Sequence, residues 1–269
     1  MKLVLVLLLV GYISAQKCGN PAIKHKYGNG ENGFRIVGGS EVISGSWPWM
    51  AGLRRADNKQ YCGGSLIHPE WVLSAAHCFD EIRSPRFYKI ALGKHTKTSK
   101  EPFEQLIQVS KIIIHRRYRS PTSGHDIALI KLSRPAQLND RVSLICLPTA
   151  PPKPGKMCYV TGWGLTHGTS FHGNLKQAMV PIVSQATCRQ SDYYGRAIRQ
   201  SMLCAGYEMG GHDACKMDSG GPLVCENNGI YEQYGIVSFG IGCAEVRKPG
   251  IYVRLNLYLG WVKAVMASQ

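Results

Sequence analysis

The stretch Gly211-His212-Asp213-Ala214-Cys215-Lys216-Met217-Asp218-Ser219-Gly220-Gly221-Pro222 decides how the rest of the chain is read. It sets Ser219 between an acid and two glycines, just after a cysteine that can pin the loop. A serine hydroxyl is a poor nucleophile until a neighbouring base takes its proton, and a glycine-rich tight turn leaves that oxygen open to a substrate. A base and an acid to orient it are present upstream. Ala75-Ala76-His77-Cys78 supplies a histidine beside a second cysteine, and His125-Asp126-Ile127-Ala128-Leu129 sets an acid at the head of an apolar run. Adjacent His125 is read as a loop histidine.

The 269 residues suffice for one large β domain or two small packed ones. Residues 1–15 have the layout of a signal peptide: Lys2, an apolar run from Leu3 to Val10, and Ile13-Ser14-Ala15 at the cut. That run is too short to span a bilayer, and nothing later approaches the ~18 apolar residues a span requires. The expected product is soluble, secreted and extracellular. The 10 cysteines include no C-x-x-C pair and no His/Cys cluster with zinc spacing, so disulfides in an oxidising compartment are expected rather than a metal site. Their connectivity does not follow from spacing alone. No cofactor is expected. The net charge of +15 is compatible with an ordinary soluble surface or with an acidic partner. There is no N-x-[ST] sequon.

Residues 16–35 are polar and glycine-rich without apolar periodicity, and read as a pro-segment or linker that cannot bury a core. From Ile36 onward the pattern is short apolar or alternating runs cut by Gly, Pro and Asn turns, an all-β reading. Strands are expected over 62–67, 71–75, 107–114 and 127–132 in a first half, and over 156–162, 179–183, 222–225, 234–239 and 250–254 in a second. Leu255, Leu259, Val262 and Met266 fall on one helical stripe near the C-terminus, read as core packing.

With Ser219, His77 and Asp126 in these contexts, the chain resembles the chymotrypsin-like (trypsin-like) serine proteases, from Ile36 to the C-terminus. The resemblance implies two packed six-stranded antiparallel barrels, roughly 36–142 and 143–254, followed by a C-terminal helix. It implies Ser219 as nucleophile, His77 as general base and then acid, Asp126 as the group that orients the imidazole, and Ser238 supporting that acid. Met217 and Ser219 match the backbone donors of the oxyanion hole. Asp213, Ser238, Gly240 and Gly250 match the substrate pocket, whose acidic floor calls for cleavage after Arg or Lys. Arg35-Ile36 matches an activation site, the freed amino group of Ile36 pairing with Asp218. The implied disulfides are Cys62–Cys78, Cys158–Cys225, Cys188–Cys204, Cys215–Cys243 and Cys18–Cys146, the last keeping the pro-segment attached.

Two departures stand out. Met217 replaces a glycine that the family almost always uses; it keeps its N–H but adds a side chain, expected to narrow substrates and hinder tight protein inhibitors. Lys94 stands where calcium-binding relatives carry an acid, which argues against a calcium site. Lys94 with Arg54, Arg55 and Lys59, and separately the run His115-Arg116-Arg117-Tyr118-Arg119, are either solvated loops or an exosite for an acidic segment or sulfated glycan. Expected partners are protein or peptide substrates and protein inhibitors; no nucleic acid or membrane span is expected.

Overall fold

The computed structural model describes residues 18–25, 40–57, 59–164, 173–210, 218–242 and 245–269. Strand β1 (Ser40–Glu41) is followed by β2 (Met50–Arg55), β3 (Gln60–His68), β4 (Trp71–Ser74), β5 (Tyr88–Leu92), β6 (Gln105–Ile114) and β7 (Ala128–Leu132). Strands β2 to β7 close on themselves in the order β2-β3-β4-β7-β6-β5, because β5 pairs back onto β2. The second half supplies β8 (Met157–Gly162), β9 (Lys176–Val183), β10 (Met202–Ala205), β11 (Pro222–Asn227), β12 (Ile230–Phe239) and β13 (Gly250–Arg254). These run β9-β10-β13-β12-β11-β8 and close through β8 on β9. The result is two six-stranded antiparallel barrels. Closure removes the edges that would otherwise template aggregation. Strand β1 precedes the first barrel in the chain but pairs with β9 of the second, Ser40 opposite Gln177.

The alternation read in the sequence is the alternation of the barrels. Leu53, Leu66, Leu73, Ile90, Leu92, Ile107 and Leu129 fill the first, and Val160, Val180, Leu203, Leu223, Tyr234 and Tyr252 the second. Ile236 and Val253 of the second barrel pack with the first core, so the two units share a hydrophobic seam. The C-terminal stripe divides. Leu255 lies in a short 3-10 turn, and α2 (Leu259–Ser268) follows, with Tyr258 and Val262 buried against the first barrel. Across the seam Ser65 Oγ of β3 donates to Gln233 Oε1 of β12 at 2.6 Å, and Gln233 in turn donates to the Gly235 carbonyl at 3.0 Å.

Four disulfides are present among the described residues: Cys18–Cys146, Cys62–Cys78, Cys158–Cys225 and Cys188–Cys204. The Cys215–Cys243 expectation falls outside the described residues. Residues 18–25 differ from their coreless reading. They bury little among themselves but insert into the barrels: Gly19 N donates to Leu144 O at 2.8 Å, and Tyr231 N to Gly19 O at 2.7 Å. His25 is only 6% exposed, stacked on Trp47 at 4.9 Å with Tyr159 and Tyr231 edge-on. The segment uses a core built by distant residues, which composition does not reveal. Among the described residues no helix is long and apolar enough to cross a membrane.

Because Ser65 and Gln233 are both fully buried, removing the hydroxyl strands an amide oxygen. Ser65→Ala therefore destabilises the protein by about 1–3 kcal/mol in denaturant unfolding. Ser110→Ala, which removes an exposed residue's hydroxyl bonded to the Lys131 and Leu132 carbonyls of β7, stays within about 0.5 kcal/mol. Equal effects would show that the seam bond carries no special weight.

Candidate active site

His77 sits in a 3-10 turn, Ala76–Phe79, that leaves β4. The Cys62–Cys78 disulfide ties this turn to β3. Asp126 lies two residues before β7, the neighbour of β4, so the barrel itself brings the two side chains to one end of adjacent strands. Asp126 is 1% exposed and grips the turn twice. Its Oδ1 accepts from the His77 backbone N at 2.9 Å, and its Oδ2 lies 2.7 Å from His77 Nδ1. An ionised carboxylate only accepts, so Nδ1 carries the proton and Nε2 is left with a free lone pair when the ring is neutral.

The third donor comes from the other barrel. Ser238 Oγ donates to Asp126 Oδ2 at 2.5 Å. Ser238 lies where the β12–β13 register slips between Val237 and Phe239. Such a bulge re-aims a side chain. The Ser238 hydroxyl is thus directed at Asp126.

Ser219 lies in a turn wedged between the barrels. Its carbonyl accepts from Gly63 N of β3 at 2.8 Å, Gly221 N bonds the Asp218 carbonyl at 2.9 Å, and Gly220 N bonds Val237 O at 2.9 Å. Gly220 has φ +82°, and a Cβ there would overlap the Ser74 hydroxyl and crowd the Gly63 carbonyl, so only glycine fits. Gly63 neighbours Cys62, whose disulfide partner Cys78 follows His77. One backbone hydrogen bond and one disulfide thus tie the Ser219 turn to the His77 turn.

Asp218 is 7% exposed and lies against the backbone that follows β8. Gly164 N donates to its Oδ1 at 2.8 Å, and a Cβ on Gly162 would overlap that same oxygen. Gly162-Trp163-Gly164 was not singled out in the sequence; two glycines flanking a tryptophan just after a strand are the signal that could have found it. Burial pushes the nearby Lys97 ammonium down, against the opposing charge of Asp218. Gly240 is exposed, and a Cβ there would have nothing nearer than the Gly242 carbonyl at 3.8 Å. Gly250 is buried in β13 opposite Ala205. Arg35, Ile36, Asp213, Ala214 and Met217 lie outside the described residues.

Burial alone lowers the His77 imidazole. The hydrogen bond and charge of Asp126, with the charge of Asp80, outweigh it and hold the ring above its ordinary value. Cys62, His77 and Cys78 bring three metal-ligating atoms within 4.8 Å, but both sulfurs are spent in a disulfide and offer no thiolate. His125 takes φ +59° and places Nδ1 2.8 Å from the Tyr258 hydroxyl.

The basic residues near Lys94 differ from the exosite expectation. Lys94 Nζ is buried, 3.2 Å from Glu104 Oε2 and 3.8 Å from Glu101 Oε2, and bonded to the Ser99 carbonyl. Arg54 pairs with the other oxygen of Glu104 at 3.2 Å, and Arg55 with Glu81 at 2.8 Å. Lys59 lies 4.0 Å from Asp57. The fold does gather these cations, as charges already answered by acids rather than as a free patch.

The His77 geometry makes a titration measurable by NMR. In the wild-type chain the imidazole titrates above about 6.5, and in Asp126→Asn its midpoint falls, since the raising partner is gone. Identical midpoints in the two chains would contradict the assigned hydrogen bond.

A family model described as Trypsin matches residues 36–262. The matched region holds both barrels and every residue of the Asp126 cluster, and the chain belongs to the trypsin family of serine proteases.

Proposed function

We propose that this protein is a secreted serine endopeptidase, made as a zymogen, that cleaves peptide bonds after Arg or Lys. Its family makes it a serine protease acting on protein substrates. The observation that supports nucleophilic catalysis is the buried Asp126 carboxylate, which collects the His77 backbone N, His77 Nδ1 and Ser238 Oγ. That arrangement leaves His77 Nε2 as the available base, the tautomer nucleophilic catalysis requires.

In this mechanism His77 Nε2 takes the Ser219 hydroxyl proton as Oγ attacks the scissile carbonyl carbon. The carbonyl oxygen becomes an oxyanion that accepts from the backbone N–H groups of Met217 and Ser219. His77 then gives its proton to the leaving amine, the C–N bond breaks, and Ser219 carries the acyl group as an ester. Water, giving a proton to His77, attacks that ester; the bond from the acyl carbon to Ser219 Oγ then breaks, His77 returns the proton to that oxygen, and the acid is released. Asp126 keeps its charge throughout, stabilising the imidazolium that forms in each half. Losing one oxyanion donor costs about 2.7–4 kcal/mol of barrier, and Met217 retains its N–H, so its side chain bears on fit more than on charge stabilisation.

Asp213 at the pocket floor would select a cationic side chain, with Gly240 and Gly250 leaving the walls open. Residues 1–15 would be removed on export, and the disulfides suit that route. Cleavage after Arg35 would free the Ile36 amino group for Asp218, whose carboxylate already rests against Gly162 and Gly164. Residues 16–35 would remain attached through Cys18–Cys146.

Three measurements test this reading. The Arg35-cleaved protein is labelled at Ser219 by a phosphonate bearing an arginine-like side chain, and Ser219→Ala loses labelling and roughly 10⁶ in kcat. A folded, cleaved sample that never labels would make the chain a binding homologue instead. The profile of kcat/KM rises with pH as His77 loses its proton, with a midpoint above about 6.5 because its folded value is raised. Met217→Gly broadens peptide turnover and tightens protein-inhibitor binding; no change in either would remove Met217 from specificity.

A further inference from the structure

On the surface, with His125, the neighbour of Asp126, in its wall, a cleft of about 820 Å³ opens. Its walls bring together Arg117, His125, Arg189, Arg196 and Arg199. Arg117 and His125 come from the connection between β6 and β7. The other three follow α1 (Gln185–Cys188), in a loop that the Cys188–Cys204 disulfide closes.

The fold fixes the Arg189 and His125 side chains and the backbone that carries Arg199. Arg189 Nε donates to the Ile198 carbonyl at 3.2 Å, and Gln185 Nε2 holds the Arg199 carbonyl at 2.9 Å. His125 is fixed by the Tyr258 hydroxyl at 2.8 Å and stacks on His115 at 5.2 Å. None of the ion pairs among the described residues involves any of the four arginines. The contrast with Arg54 and Lys94, each answered by Glu104, is direct. The mutual field is positive. Burial and the Arg117 charge push His125 down, and burial with His125, Arg117 and Arg116 does the same to His115. Burial and Arg189 likewise hold Arg254 below its ordinary value.

We infer that this cleft binds the sulfate groups of a sulfated polysaccharide. Guanidinium forks bond tetrahedral oxyanions two oxygens at a time and lose little hydration in doing so, which a lysine patch does not match. The volume accommodates more than a single ion and falls in the range of clefts that hold a ligand of several hundred daltons, the size of one or two sulfated sugar units. The single apolar lining residue, Ile198, is 2% exposed, so the cleft lacks the hydrophobic anchors on which peptide docking depends. The inference does not require the protease reading, since it uses none of the groups proposed for catalysis.

The test uses the full chain and heparin as the probe, by salt elution from immobilised heparin and by titration with a heparin octasaccharide. Arg117→Glu/Arg189→Glu/Arg199→Glu is compared with Lys100→Glu/Lys153→Glu/Lys263→Glu, an equal charge change at exposed sites elsewhere. The cleft variant elutes at lower salt and weakens octasaccharide binding on the order of tenfold or more, while the surface variant stays within about twofold. Near-UV circular dichroism checks folding, and Arg189→Gln/Arg199→Gln replaces the triple variant if that does not fold. Equal shifts in both variants would reduce the effect to net charge and overturn the site. So would failure of heparin to bind, undiminished binding of desulfated heparin, or equal competition by polyglutamate or duplex DNA.

Discussion

A carboxylate buried at the junction of two barrels must be answered by donors, or folding pays its desolvation in full. Asp126 finds its donors on both sides: the His77 backbone and ring from one barrel, the Ser238 hydroxyl from the other. The charge is therefore satisfied only when the barrels are docked. Everything at the seam serves that docking, from the Ser65–Gln233 bond to Ile236 and Val253 packing into the first core. Assembly of the proposed catalytic group and completion of tertiary structure are one event.

The Ser219 turn shows the same dependence at closer range. Its carbonyl is held by Gly63, its following amide by Val237, and its neighbour Asp218 by the Gly162–Gly164 backbone. Three strands from two barrels thus meet in four residues, and they approach closely enough that Gly162, Gly164 and Gly220 leave no space for a methyl group, while one on Gly63 would lie a tight 3.2 Å from Gly221. Here glycine is selected less for its own flexibility than for the room it leaves to others.

Much of this was legible in the residues, and the exceptions have identifiable causes. Strands β3, β4, β6, β7, β8, β9, β11, β12 and β13 announce themselves through apolar runs bounded by turns. Strands β1, β2, β5 and β10 were not expected: β1 is two residues long, and β2 ends in Arg54-Arg55, where the burial of Arg54 depends on Glu104, far away in sequence. Strand β10 is the short run Met202–Ala205, too brief for a period to show. The contexts of His77, Asp126 and Ser219 stood out because the chemistry demands unusual neighbours. The Arg54–Lys94 group stayed open between a solvated surface and an exosite because sequence displays charges one at a time and hides the acids folded against them. The arginine cleft was hidden for the opposite reason, since Arg117 and the 189–199 loop meet only in the fold.

The Lys94 ammonium, seated between Glu101 and Glu104 with the Ser99 carbonyl, has a consequence for where the protein can work. A dissolved ion in such a loop would occupy it according to its concentration and could be withdrawn. A tethered side chain stays in the loop at any dilution. The loop over 94–104 is thus bound to its own counterion by a covalent tether, and its shape is inherited with the polypeptide rather than borrowed from the surroundings.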